Sequence, residues 1–194
     1  MPMPLDSLAD QPDDALLAAY GRGERVAARI LAERFLPRLY GHAMRMLNDR
    51  AEAEDVAQEA MLRLWKIAPA WRQGEAKVST WLYRVVANLC TDRLRRRRGV
   101  GLDSIAEPAD DAASAEDGLV RAQRVAALQE ALMRLPARQR QAVVLRHVEG
   151  LSNPEIAAVM EVSVEAVESL NARGKRALAK ALAGRREELG YGDG

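Results

Sequence analysis

Residues 99 to 118, GVGLDSIAEPADDAASAEDG, constrain the fold more than any other stretch. They hold six acids and no base, and alanine, glycine, proline and serine leave few large apolar groups to bury. A segment of this kind divides the 194-residue chain into two parts, each the size of a small domain. As a flexible coil its ends would average roughly 25 Å apart, with about 70 Å available when extended. Charge follows the same division: residues 1–98 carry net +4, residues 99–118 carry −6, and residues 119–194 carry +3. The total of +1 does not by itself advertise nucleic-acid binding. Any such contact has to be local, and weak for the isolated chain.

Composition excludes several classes. One cysteine, Cys90, cannot form an internal disulfide, and it falls on the apolar side of its helix as a small core residue. The N-terminal MPMPLDSLADQPDD places acids and prolines where a signal peptide needs bases and then an apolar run. No apolar stretch approaches the roughly 18 residues of a membrane span, so a cytoplasmic protein is expected. Two histidines far apart, with no metal-ligand spacing, leave no catalytic constellation, no metal site and no cofactor.

The first part reads as helices throughout. Asp13 to Tyr20 forms a short helix broken by Gly21 and Gly23. From Glu24 a longer one carries Leu31, Phe35, Leu39 and Ala43 at i, i+4 spacing, with Pro37 expected to kink or divide it. No chemistry attaches to His42. Asp49 and Glu52 have capping-box spacing at the start of AEAEDVAQEAMLRLWKIA. In that helix Val56, Ala57, Ala60, Met61 and Leu64 can turn inward, while Asp55, Gln58, Glu59 and Leu62 share another face. A leucine beside acids on a wet face fits a docking surface for a partner helix; a solvated face with one stray leucine has the same pattern. A di-iron carboxylate site would need Glu-x-x-His pairs, and none exists.

Pro69 closes that helix, and Trp71 to Val78 is a loop, after which Ser79 or Thr80 can cap the next helix. In WLYRVVANLCTDRLRRRR, at about 100° per residue, Thr91, Arg84, Arg95, Asn88, Trp81 and Asp92 occupy one side. Leu82, Val85, Val86, Leu89 and Cys90 occupy the other, and five arginines follow within positions 93–98. Indoles at 71 and 81 with Lys77 between them have the composition of a stacking platform for single-stranded nucleic acid. A solvated face with a basic end is the plain alternative.

After the acidic segment, Val125, Leu128, Leu132 and Leu135 are expected to point inward from a helix beginning at Leu119. Pro136 opens the next helix, containing Val143, Val144 and Leu145. Ser152 and Glu155 form a capping box for a short helix, and Ser163 caps a longer one from Val164 to about Ala183. Helix, tight turn, helix is the geometry that places a second helix in the major groove. Glu165 and Glu168 could accept from cytosine N4 or face water, and Arg173, Lys175 and Arg176 could hold phosphates.

From residue 12 to 183 the chain resembles bacterial RNA polymerase sigma factors of the extracytoplasmic function (ECF) group in the sigma-70 family. The resemblance lies in ERFLPRLYGHAMRML, AEAEDVAQEAMLRLWK, STWLYRVVANLCTDRLRRRR, LPARQRQAVVLRHVEGLSNPEIAAVM and SVEAVESLNARGKRAL, in that order around an acidic linker. It implies an all-α fold of two helical domains joined by a flexible linker. These are a sigma-2-like bundle at 12–98, the linker at 99–118, and a sigma-4-like helix-turn-helix domain at 119–186. It implies a non-enzymatic factor that binds core RNA polymerase and directs promoter-specific initiation under an anti-sigma factor. Asp55, Gln58, Glu59 and Leu62 would dock on the clamp coiled coil of the polymerase β′ subunit. Trp71, Lys77, Ser79, Thr80, Trp81, Arg84 and Asn88 would line the opened −10 strand, with Arg93, Arg95 and Arg96 near its phosphates. Ser163, Glu165, Ala166, Glu168, Ser169, Asn171, Arg173, Lys175 and Arg176 would lie on the −35 duplex. The linker would run through the polymerase toward the RNA exit path, and the β subunit is a further partner. Glu161 stands where the family usually has glycine, at a left-handed position that costs a non-glycine residue about 1 to 2 kcal/mol. Outside the family, a stand-alone helix-turn-helix regulator would explain residues 119–183 but not the Asp55 face or the Trp71–Arg98 composition.

Overall fold

A computed structural model of the chain describes residues 10–99 and 116–183, the side chains of 116–120 excepted. Among the described residues there are helices α1 (Asp13–Gly21), α2 (Arg25–Leu47), α3 (Arg50–Ile67) and α4 (Val78–Gly99), then α5 (Glu116–Met133), α6 (Ala137–His147), α7 (Asn153–Met160) and α8 (Val164–Ala183), with a 3-10 turn at Ala68–Ala70 and no strand. The expected linker lies outside the described residues except at its two ends: Gly99 is the last residue of α4, and α5 begins at Glu116 rather than Leu119.

Helices α1–α4 form the first unit around Leu16, Phe35, Leu39, Leu64, Leu82 and Val86, all buried; each such side chain contributes roughly 1.5–3 kcal/mol by leaving water. α2 is not divided at Pro37. The carbonyl that Pro37 leaves unpaired belongs to Glu33, an exposed residue where water can take the missing bond. Asp49 caps α3 by accepting the Glu52 N–H at 2.9 Å. The Glu52 carboxylate does not close the box, because Arg97 takes it at 2.5 Å. Arg97 also donates to the Leu47 carbonyl (2.9 Å) and the Asp49 carboxylate (3.2 Å). One guanidinium therefore ties the end of α4 to the α2–α3 corner. α4 begins at the buried Val78, so Ser79 and Thr80 lie inside its first turn and do not cap it.

Helices α5–α8 make the second unit. Its inward stripe differs from the expected one: Leu132 and Leu135 are buried, but Val125 is 62 % and Leu128 37 % exposed. The inward side of α5 is instead led by Ala127 and Ala131, while on another side of the helix the Gln129 amide donates to the Met44 carbonyl of α2 at 3.0 Å. α6 and α8 cross at Gly174, where a Cβ would come within 2.6 Å of Val143 Cγ2. The capping box at Ser152 and Glu155 is present, and Ser163 accepts the Ala166 N–H at 3.2 Å. Glu161 adopts the left-handed conformation (φ 54°, ψ 49°) and ends α7. The strain is tolerated because the Ala157 carbonyl accepts the N–H groups of both Glu161 and Val162 there.

The two units pack together. α7 lies against α4, and α5 and α6 lie against α2. Ala142, Leu145, Leu151 and Ile156 join the apolar core of the first unit.

Candidate functional site

Two surfaces of the first unit hold most of the residues singled out in the sequence, and they share α4. On the first, Asp55 and Gln58 are exposed, Leu62 is 54 % exposed, and Glu59 pairs with Arg63 at 2.9 Å on its own helix. The structure thus places Asp55, Gln58, Glu59 and Leu62 on one face of α3. It also adds a wall the sequence reading did not connect with them: Leu89, Arg93 and Arg96 of α4 line the same groove.

The second surface follows the N-terminal half of α4. Trp71 and Trp81 meet edge to face with ring centroids 6.3 Å apart, so the expected pair of indoles is brought together. Lys77, Ser79 and Thr80 line a cleft of about 920 Å³. Its opposite wall is Ser152, Pro154 and Glu155 of the second unit. Asn88 is exposed, and Arg95 reaches Asp92 at 3.0 Å.

Acids of the second unit occupy this surface. Lys77 Nζ donates to Glu155 Oε1 at 2.6 Å, and Arg84 pairs with Glu161. The Tyr83 hydroxyl donates to Glu149, whose side chain is only 6 % exposed and which Arg38 approaches to 4.0 Å. Lys77 holds the Glu155 carboxyl down at about 2, helped by the Ser152 N–H and hydroxyl. Burial, with help from Glu149, raises the Tyr83 phenol above its ordinary range. Sequence reasoning missed Tyr83, Glu149 and the partners of Lys77 and Arg84. The one available signal was that Glu155 and Glu161 sit at the two ends of α7, where their side chains point out of the short helix rather than into its core.

Buried ionisable groups sit near the junction of the units. His42 is fully buried, edge-on to Tyr83, and neither ring nitrogen has a hydrogen-bond partner among the described residues. Burial, with a smaller push from Arg45, lowers it to about 3. Glu149 stands 3.9 Å from Nδ1, beyond hydrogen-bond reach, and that carboxylate is already engaged by Tyr83, so the imidazole stays neutral. The Cys90 thiol is pushed up to about 12 by burial, which makes it an inert core group. Arg140 is buried and lowered to about 10, chiefly by desolvation.

On α8, Ser163, Glu165, Glu168, Ser169, Arg173, Lys175 and Arg176 are exposed and Ala166 is half-buried. Asn171 is half-buried, with both amide atoms out of water and unpartnered among the described residues, on the side of α8 that carries Val167 and Gly174. The helix therefore does not bring Asn171 onto the wet face with the basic residues. Glu165 is fully exposed, and its carboxyl is lowered by its own backbone N–H and then by the Ser163 hydroxyl. It reinforces the helix start. Among the described residues no group of three or more His, Cys, Asp or Glu could hold a metal ion, and no helix is long and apolar enough to cross a membrane.

Comparison with known proteins places these surfaces in context. Residues 31–100 match the family model described as Sigma-70 region 2, and residues 126–178 match Sigma-70, region 4. The chain is 33 % identical over 186 residues to the RNA polymerase sigma-H factor of Pseudomonas aeruginosa, covering 90 % of this chain and 96 % of that one. It is 35 % identical over 173 residues to the ECF RNA polymerase sigma factor SigM of Mycobacterium tuberculosis, covering 89 % and 86 %. Among solved structures, CnrH in complex with the cytosolic domain of CnrY shares the fold, with TM-score 0.68, 24 % identity, and coverage of 89 % and 97 %. So does RpoE in complex with the anti-sigma factor NepR from Bartonella quintana, with TM-score 0.64, 23 % identity, and coverage of 78 % and 94 %.

Proposed function

The chain belongs to the sigma-70 family as a sigma factor of the ECF group, and from that membership we propose how its surfaces divide the work of promoter-specific initiation. The α3 face with Asp55, Gln58, Glu59 and Leu62 docks on the clamp coiled coil of the β′ subunit. The surface made by Trp71 and Lys77 of the preceding loop and Ser79, Thr80, Trp81, Arg84, Asn88 and Arg95 of α4 holds the opened −10 strand. The exposed side of α8 reads the −35 duplex through Ser163, Glu165, Ala166, Glu168, Ser169, Arg173, Lys175 and Arg176, with Asn171 left to pack inside. The polymerase carries out the phosphoryl chemistry, and the chain itself is not an enzyme. It acts in the cytoplasm, and its regulator is an anti-sigma factor, the kind of partner with which the related RpoE was solved.

One observation carries the reading: a single helical unit presents an acidic face with an exposed leucine and, where the Trp71–Lys77 loop enters the next helix, two half-buried indoles beside cations. A stand-alone regulator needs neither. In the free chain Lys77 and Arg84 are already paired with Glu155 and Glu161, so the −10 strand can be held only after the second unit moves away. Polymerase binding, by engaging the two units at separate places, supplies that separation. A run-off assay tests the function: added to core polymerase on promoter-bearing genomic fragments, the chain yields new, defined transcript starts. No new start on any fragment, with DNA binding by the chain alone, would return the stand-alone regulator.

A further inference from the structure

The groove between α3 and α4 has a volume of about 440 Å³ and two walls of opposite sign. Asp55, Gln58, Glu59, Leu62 and Arg63 form the α3 wall, which keeps a net negative charge; Arg93 and Arg96 form the α4 wall, with the buried Leu89 between. Glu59 is engaged by Arg63 on its own helix. Asp55, Arg93 and Arg96 make no ion pair or hydrogen bond among the described residues. Acids and arginines therefore face the same groove without neutralising one another across it.

We infer that Arg93 and Arg96 belong to the polymerase-docking groove, not to the DNA surface, and that the groove takes an amphipathic helix with bases along its α3 side and acids along its α4 side. The inference rests on the proposed docking of α3, and it names the second half of that site. Helix geometry separates the two roles. At about 100° per residue, Arg93 and Arg96 fall with Leu89, roughly a third of a turn from the Trp81, Arg84, Asn88 and Arg95 face. Arg97, one position on, is clamped to Leu47, Asp49 and Glu52, which fixes the α4 wall against the start of α3. The proposed strand-holding face is covered by the second unit, whereas among the described residues the groove is bordered only by α3 and α4. Two walls of opposite sign also set the direction in which a charged helix can lie, because the reversed helix would place like charges together. Leu62, apolar and exposed within this ring of charges, supplies the anchor.

The test measures the affinity of the full chain for core polymerase, without DNA, by fluorescence anisotropy at two salt concentrations. The variants are Arg93→Glu with Arg96→Glu, Arg93→Lys with Arg96→Lys, Arg98→Glu, and Asp55→Lys with Leu62→Ala, each checked for helicity and melting temperature. The double glutamate variant should bind at least about tenfold more weakly, with a shallower salt dependence. The double lysine variant should recover most of that loss, and Arg98→Glu, at an exposed arginine outside the groove, should bind as the parent does. Core affinity of the folded double glutamate variant within twofold of the parent would overturn the inference. If Asp55→Lys with Leu62→Ala still loses binding in that case, only the role of Arg93 and Arg96 falls. If that variant also keeps its affinity, the docking reading itself falls.

Discussion

The two sides of α4 are built from similar residues and left in opposite states. Toward α3, Arg93 and Arg96 look into an open groove beside Asp55 and Leu62. Toward α7, Lys77 and Arg84 are occupied by Glu155 and Glu161, and Tyr83 is held by Glu149. The difference is one of supply: among the described residues, the second unit brings three glutamates to the α7-facing side and none to the groove. On the proposed assignments, the free chain is ready for a protein helix on one side of α4 and closed to the −10 strand on the other, with glutamates in the place proposed for phosphates.

The open side should be the more vulnerable to substitution. Replacing Asp55 with Lys and Leu62 with Ala removes an anchor and reverses a charge. With about 2 kcal/mol for each hot-spot position, affinity for core polymerase should drop at least about 100-fold, measured by anisotropy, with the melting temperature unchanged. The closed side can be broken without touching the groove. Gly174→Val would force a Cβ toward Val143 Cγ2, now 2.6 Å from where it would stand. Overpacking of this kind costs about 1–3 kcal/mol. Calorimetry should show the second unit melting earlier, while core polymerase still binds through the first.

Acid should act on the junction through His42. The imidazole is neutral in the folded chain down to about 3, whereas the unfolded chain takes up its proton near 6.5. Unfolding therefore binds a proton as pH falls below 6.5, and stability should decline by up to about 1.4 kcal/mol per pH unit from there toward 3. Glu155 works in the same direction over a lower range of pH. Its carboxyl is held down at about 2, so its contribution is fully present above its ordinary range and fades only as pH falls toward 2. Urea melts between pH 7 and 5 should show the decline, and His42→Phe should flatten it. A slope that survives that substitution would assign the effect elsewhere.

The smallest effect is on the closing pairs themselves. Lys77 and Arg84 are largely exposed, and such pairs contribute about 0.2–1 kcal/mol each. Glu155→Gln with Glu161→Gln should raise the affinity of the free chain for a single-stranded −10 oligonucleotide by roughly two- to tenfold at low salt. Anisotropy with a labelled oligonucleotide reads this directly.

Local chemistry made much of the fold legible. Capping at Asp49, Ser152 and Ser163 and the apolar stripe of α2 are short-range patterns, and each appears in place. The Asp55 face and the Trp71–Trp81 pair follow from helix periodicity and one short loop. What failed depended on neighbours distant in sequence. Val125 and Leu128 have the spacing of a core stripe, yet α5 turns Ala127, Ala131, Leu132 and Leu135 inward and leaves both exposed. Asn171 has the composition of a base contact but lies on the side of α8 with Val167 and Gly174. The arginine run could be counted but not sorted: Arg97 is a structural clamp, Arg95 pairs on its own helix, and Arg93 with Arg96 enters the groove. Nothing in residues 149–161 alone points to Lys77, Tyr83 and Arg84 as partners, because those contacts form only when α7 meets α4.

The most direct measurement of this division between an open and a closed face is the distance between the two units. A donor on α3 and an acceptor on the exposed side of α8, both clear of the groove, would report it by energy transfer. High transfer is expected for the free chain, unchanged at physiological salt by a −10 oligonucleotide at a concentration that saturates the polymerase-bound chain, and falling when core polymerase is added. Separation by the oligonucleotide alone, or high transfer persisting in a polymerase complex that initiates transcription, would contradict it.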